Sequence, residues 1–110
     1  MKSQPKDKFR GGATRNASSN RMDLVPGCGL LRIGRRYAMG AQVHGESNWK
    51  KGGKDFIKAT INHAEVHLQL LKEGKKQDDH LAAIGWAAVA LCWFEENKPK
   101  EYAAALRELM

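Results

Sequence analysis

Apolar residues recur at three- and four-residue steps along most of the chain after residue 22, which is the period of helices buried along one face. Leu30, Ile33, Tyr37 and Ala41 mark a first helix over about Leu30 to Val43, with Arg32, Arg35 and Arg36 on its other faces. Ile57, Ile61, Ala64, Leu68 and Leu71 give the clearest stripe, on a second helix over about Asp55 to Glu73. The adjacent stripe of Phe56, Thr60, His63, His67 and Leu70 sets both histidines at the border of the core. Gly74 ends this helix and Lys75-Lys76-Gln77 forms the turn. Asp78 is the expected N-cap of a third helix running to about Asn97. That helix has Leu81, Ile84, Ala88 and Leu91 on one face and Trp86, Ala90 and Trp93 on another. Being apolar on most sides, it requires cover from a surrounding bundle or a second subunit. A short fourth helix after Pro99 carries Tyr102, Ala105, Leu106 and Leu109. No strand alternation, internal repeat or heptad run appears. The expected fold class is all-α, a small helical bundle of about four helices.

Length and charge divide the chain. Its 110 residues suffice for one domain with a modest core. Residues 1–22 are rich in Lys, Arg, Ser, Asn and Gly, and too polar to repay the entropy of ordering, so they are expected to form a flexible basic arm. Residues 23–110 then make the single all-α domain, led in by the Pro- and Gly-punctuated loop Asp23 to Gly29. Residues 1–54 carry twelve Lys/Arg against three Asp/Glu, and residues 55–110 seven against nine, so the formal +7 belongs to the first half. Such a front half suits a nucleotide, an acidic surface or a nucleic acid held through residues 1–22; a merely solvated tail is the alternative. Cys28 and Cys92 form neither a disulfide framework nor a zinc pattern. With no signal-like or membrane-spanning apolar run, the expectation is a soluble cytoplasmic protein with no membrane partner.

Chemistry concentrates in Asn62-His63-Ala64-Glu65-Val66-His67 and Asp78-Asp79-His80-Leu81. His63 and His67 lie four apart and share a helix face. Asp79 and His80 open the next helix, where backbone N–H groups and the dipole favour anions. Together these residues suit a divalent metal, a phosphate, or both. The spacing is not that of a zinc protease, because Glu65 lies roughly 200° around the helix from His63. Asp78 and Asp79 have a structural role open to them as caps; as ligands they would offer the oxygens that Mg²⁺ prefers. Trp86 and Trp93 are expected in the core. Trp49, among Asn48, Lys50, Lys51 and glycines, looks exposed and is a candidate ligand contact.

Six motifs in order carry a resemblance over Arg21 to Glu96: Asp23-Leu24-Val25-Pro26; Gly40-Ala41; His44-Gly45 with Asn48-Trp49 and Gly52; Asn62-His63-Ala64 with His67; Gly74; and Asp79-His80-Leu81-Ala82. In this order the chain resembles the phage dATP/dGTP diphosphohydrolase-like proteins, all-α pyrophosphohydrolases related to MazG. The resemblance implies cleavage of a purine deoxynucleoside triphosphate between its α and β phosphates, with Mg²⁺ or Mn²⁺ as cofactor. It also implies that Asp79, His80, His63 and His67 form the catalytic centre, with Asp79 and Asp78 toward the metal. Asn48, Trp49, Lys50 and Lys51 would contact the substrate, and a phage-encoded protein would act in the host cytoplasm. The chain departs from the family's acidic pattern: no carboxylate lies three residues after Glu65, and Ala82 lies three after Asp79. Cys28, Leu31 and Met39 stand where the family tends to carry glutamates, and Ala83 and Ala87 where it has a second His and an Asn.

Two readings follow. One is a metal-dependent purine deoxynucleotide pyrophosphohydrolase; the other is a non-catalytic relative that binds nucleotides, nucleic acid or a protein partner. The apolar third helix adds the expectation of a homo-oligomer.

Overall fold

The computed structural model describes residues 6–17 and 19–110. Four helices follow one another: α1 (Gly27–His44), α2 (Lys54–Lys72), α3 (His80–Asn97) and α4 (Pro99–Leu109). The all-α bundle expected from the hydrophobic period is what the chain forms. α3 is central and packs against α1, α2 and α4, while α4 also packs against α2. No helix is long and apolar enough to cross a membrane, among the described residues.

The helix ends follow from local chemistry. α1 starts three residues earlier than its period suggests, directly after Pro26. Proline suits a helix start because its missing N–H has no intrahelical partner there anyway. α2 closes with Gly74 at φ 75°, its N–H bonded to the Leu71 carbonyl, while the Lys75 N–H reaches the Leu70 carbonyl. This is the Schellman pattern, and it needs a residue that tolerates positive φ. The N-cap of α3 is Asp79 rather than Asp78: the Asp79 carboxylate accepts from the Ala82 N–H at 3.1 Å. Asp78 sits one residue outside and accepts from the Asp79 N–H at 2.7 Å. Two adjacent aspartates both suit a helix start, and the tertiary partners described below fix which one caps.

Burial also differs from the stripe read on α2. Its buried residues are Ile57, Thr60 and His67, whereas Leu68 and Leu71 are exposed. The inward face is rotated to take in His67, and the buried residues of α3 are mostly alanines, Ala82, Ala83, Ala87 and Ala90, small enough to leave room for a polar neighbour. Ile57, Phe94 and Ala105 form the fully buried centre where α2, α3 and α4 meet. α1 contributes no buried residue, although Ile33 lies so close to Gly85 that a Cβ there would meet its side chain at 2.7 Å.

The N-terminal region holds one element that the sequence pattern does not announce. β1 (Lys6–Lys8) and β2 (Thr14–Asn16) pair antiparallel, with Asp7 opposite Arg15. All six residues are exposed. The expectation of a flexible arm at residues 1–5 and 18 lies outside the described residues.

Candidate functional site

α1 and α2 both lean on α3, and a cleft of about 770 Å³ opens between them. That lies within the size range of small-molecule sites, which are typically apolar with a few placed polar groups. One wall is aromatic. Tyr37 of α1 stands 5.3 Å from Trp86 of α3 and 5.8 Å from Trp49, ring centre to ring centre. Trp49 reaches this position on a single 3₁₀ turn (Asn48–Lys51). It is not the exposed residue its polar neighbours suggest. Its ring also contacts Trp86, Trp93 and Phe94, so the turn is pinned to α3 by an aromatic cluster. The Tyr37 hydroxyl donates to the Trp86 carbonyl at 3.0 Å, and burial pushes its pKa up to about 12.

The other end of the cleft is polar, with Arg36 from α1 and His63 and His67 from α2. His63 is exposed and stacks on His67 at 5.1 Å between ring centres. His67 is only 5% exposed. Its Nδ1 lies 2.9 Å from Nδ1 of the equally buried His80, so one ring must donate and the other accept. The Nε2 atoms of both rings are buried without a hydrogen-bond partner. Burial first, then the nearby His63 and Arg36 charges, holds the His67 pKa below its ordinary value.

Asp78 and Asp79 lie outside this cleft, around a smaller depression of about 140 Å³ shared with Arg32, Lys75 and His80. Arg32 donates to both Asp79 oxygens, from Nε at 2.8 Å and from Nη2. Arg36, one helical turn on, donates from Nη1 to Asp78 at 2.7 Å. The Arg32 hydrogen bonds, and then the Ala82 N–H, pull the Asp79 pKa down to about 2; Arg36 likewise lowers that of Asp78.

Within this geometry the chain matches, over residues 10–104, the family model described as dATP/dGTP diphosphohydrolase, N-terminal. It belongs to that family. Comparison with curated proteins and with solved structures gives no match. The matched span of the dATP/dGTP diphosphohydrolase family includes every residue of the cleft and of the two-aspartate depression.

The expected site residues therefore divide. The cleft brings together His63, His67, Asn48 and Trp49. Asp78, Asp79 and His80 stand behind them, joined to the cleft by the His67–His80 contact and the Arg36–Asp78 pair. Lys50 lies over the Trp49 and Trp93 rings, and neither it nor Lys51 lines the cleft. The metal implied by the family resemblance meets residues that do not fit it. A hard divalent cation needs several free oxygen ligands. Here both Asp79 oxygens and Oδ1 of Asp78 are engaged by guanidinium and backbone N–H groups. No cluster of three or more His, Cys, Asp or Glu side chains capable of holding a metal occurs among the described residues.

Three cleft residues escape a reading by sequence alone. Arg36 and Tyr37 look like ordinary surface and core positions of a first helix, and Trp86 like a core residue. The one sequence signal is the spacing of Arg32 and Arg36, four apart on one face, which matches two consecutive aspartates elsewhere.

Proposed function

We propose that this chain takes a purine deoxynucleoside triphosphate in the α1–α2 cleft and cleaves it to the monophosphate and pyrophosphate. The observation that carries the reading is the cleft's two-ended character within a diphosphohydrolase family member. It joins flat aromatic surface at Tyr37, Trp49 and Trp86 to cationic and imidazole groups at Arg36, His63 and His67. Aromatic faces bind a base by stacking, and guanidinium binds phosphate oxygens through charge-assisted hydrogen bonds. In hydrolysis, water attacks phosphorus and loses a proton while the pyrophosphate departs. Arg36 offsets the phosphate charge, and His63, exposed at the cleft edge, is the group suited to exchange that proton.

Incubation with each deoxynucleoside triphosphate, with and without Mg²⁺ or Mn²⁺, tests this directly. dATP and dGTP should yield monophosphate and pyrophosphate in equal amounts, and His63→Ala should slow the reaction by about a hundredfold or more. The pairing of Asp78 and Asp79 with arginines favours a second reading, in which the chain binds the nucleotide without hydrolysing it. Intact triphosphates after long incubation would decide for that reading. The proposal further includes self-association and a nucleic-acid contact through residues 1–22.

A further inference from the structure

The disagreement between the two aspartates and a metal has a positive counterpart on the cleft side. We propose that the cleft binds the nucleotide's phosphates with its own side chains, Arg36 and His67 above all, and without a divalent cation. This rests on the nucleotide reading of the cleft.

A guanidinium carries five N–H donors. Arg36 gives one to Asp78, its only hydrogen bond among the described residues, and its side chain stays 23% exposed where it lines the cleft. The pair with Asp78 therefore fixes the arginine in place and leaves most of its donor fork for a second anion. His67 supplies an independent sign. Its ring lines the same cleft, its Nδ1 is held by His80, and its Nε2 is buried with no partner in the protein. A buried polar atom without a partner is costly, and a ligand group at hydrogen-bond distance removes that cost.

The Nδ1–Nδ1 contact determines which ligand group fits. A phosphate oxygen can only accept, so it selects the state with a proton on His67 Nε2. For neutral rings, His80 then donates its Nδ1–H to His67 Nδ1. His63, stacked on His67, adds a second imidazole edge at the mouth. The base lies toward Tyr37, Trp49 and Trp86. A divalent metal ordinarily screens triphosphate charge and orients the chain. Here Arg36 takes over the screening, the imidazoles add hydrogen-bond donors, and Asp78 and Asp79 serve to position Arg36 and Arg32.

The test is nucleotide binding in excess EDTA, followed by quenching of Trp49 and Trp86 fluorescence and checked by calorimetry with dATP and dGTP. Saturable binding in EDTA is expected. Arg36→Gln should lower affinity about ten- to a hundredfold, the range for losing a charged hydrogen bond. Asp78→Asn should lose affinity to the same extent in EDTA and in Mg²⁺, because Asp78 positions Arg36 and holds no metal. Helical circular dichroism of each variant separates loss of binding from loss of fold, and the wild-type measurement in EDTA needs no variant. Binding that appears only with Mg²⁺ or Mn²⁺ and disappears in Asp78→Asn would overturn this inference and leave the nucleotide reading standing. No binding with or without metal would remove both.

Discussion

Asp79 does two jobs with one carboxylate: it caps α3 through the Ala82 N–H and holds Arg32 of α1. Replacing it by alanine removes both. Loss of the cap alone costs about 1 kcal/mol. Asparagine caps nearly as well and loses only the ion pair, which is partly solvated and contributes little. Urea unfolding should therefore rank wild type, Asp79→Asn and Asp79→Ala in falling stability, with the larger step at alanine. Equal losses in the two variants would show that the ion pair, not the cap, matters. His67 makes a separate prediction in pH. Its folded pKa lies below the ordinary 6.5, so between the two values the unfolded chain binds the extra proton. The stability it contributes is full above 6.5 and is lost as pH falls from there toward the lower folded value. The Asp78 and Asp79 contributions behave likewise but only below 3.8, where their folded values are depressed. Unfolding midpoints should thus fall between about pH 7.5 and about pH 5.5, and His67→Gln should flatten that first decline.

At the scale of elements, the four helices were legible because their apolar positions repeat over many turns, and repetition survives errors at single residues. The cap of α3 reads one residue early in the sequence because Asp78 and Asp79 are interchangeable locally; Arg32 and Arg36, more than forty residues away, distinguish them. The same distance hid Arg36 as a lining residue of the cleft, whereas the stacking of His63 on His67 was legible because a helix brings neighbours four apart together. Trp49 reads as exposed because its sequence neighbours are polar, while its spatial neighbours are rings from α1 and α3. The hairpin gave no signal, having strands of three residues with no buried side chain to alternate against. That hairpin exposes Lys6, Lys8 and Arg15, with the Arg15 guanidinium 5.5 Å from the Phe9 ring centre. If it grips nucleic acid, retention on DNA should fall steeply with salt as phosphate contacts release counterions. Deleting residues 1–22 should abolish that retention and leave nucleotide binding in the cleft unchanged, since every cleft residue lies beyond it. Retention insensitive to salt would exclude the contact.

For the whole molecule the decisive quantity is how little apolar surface one copy hides. Of the seven buried apolar residues among those described, five are alanines, and only Phe94 and Ile57 are large side chains fully withdrawn from water. α3 shows where the missing burial belongs. It is apolar around its whole circumference, yet Leu81, Ala88, Val89 and Cys92 face solvent in the single chain. α1 and α2 add Leu31, Val43 and Leu68 as further exposed apolar residues. Surface of this kind marks association in a soluble protein. A second copy is the simplest cover, because a two-fold arrangement satisfies the same patch on both chains at once. Light scattering or sedimentation equilibrium at micromolar concentration should then give a mass of at least twice the 12.3 kDa chain. Val89→Glu, which places a charge in the exposed part of α3 away from the cleft, should shift the mass toward the monomer while preserving nucleotide binding. A wild-type protein that runs as a monodisperse monomer would refute self-association, and the exposed face of α3 would then need another cover.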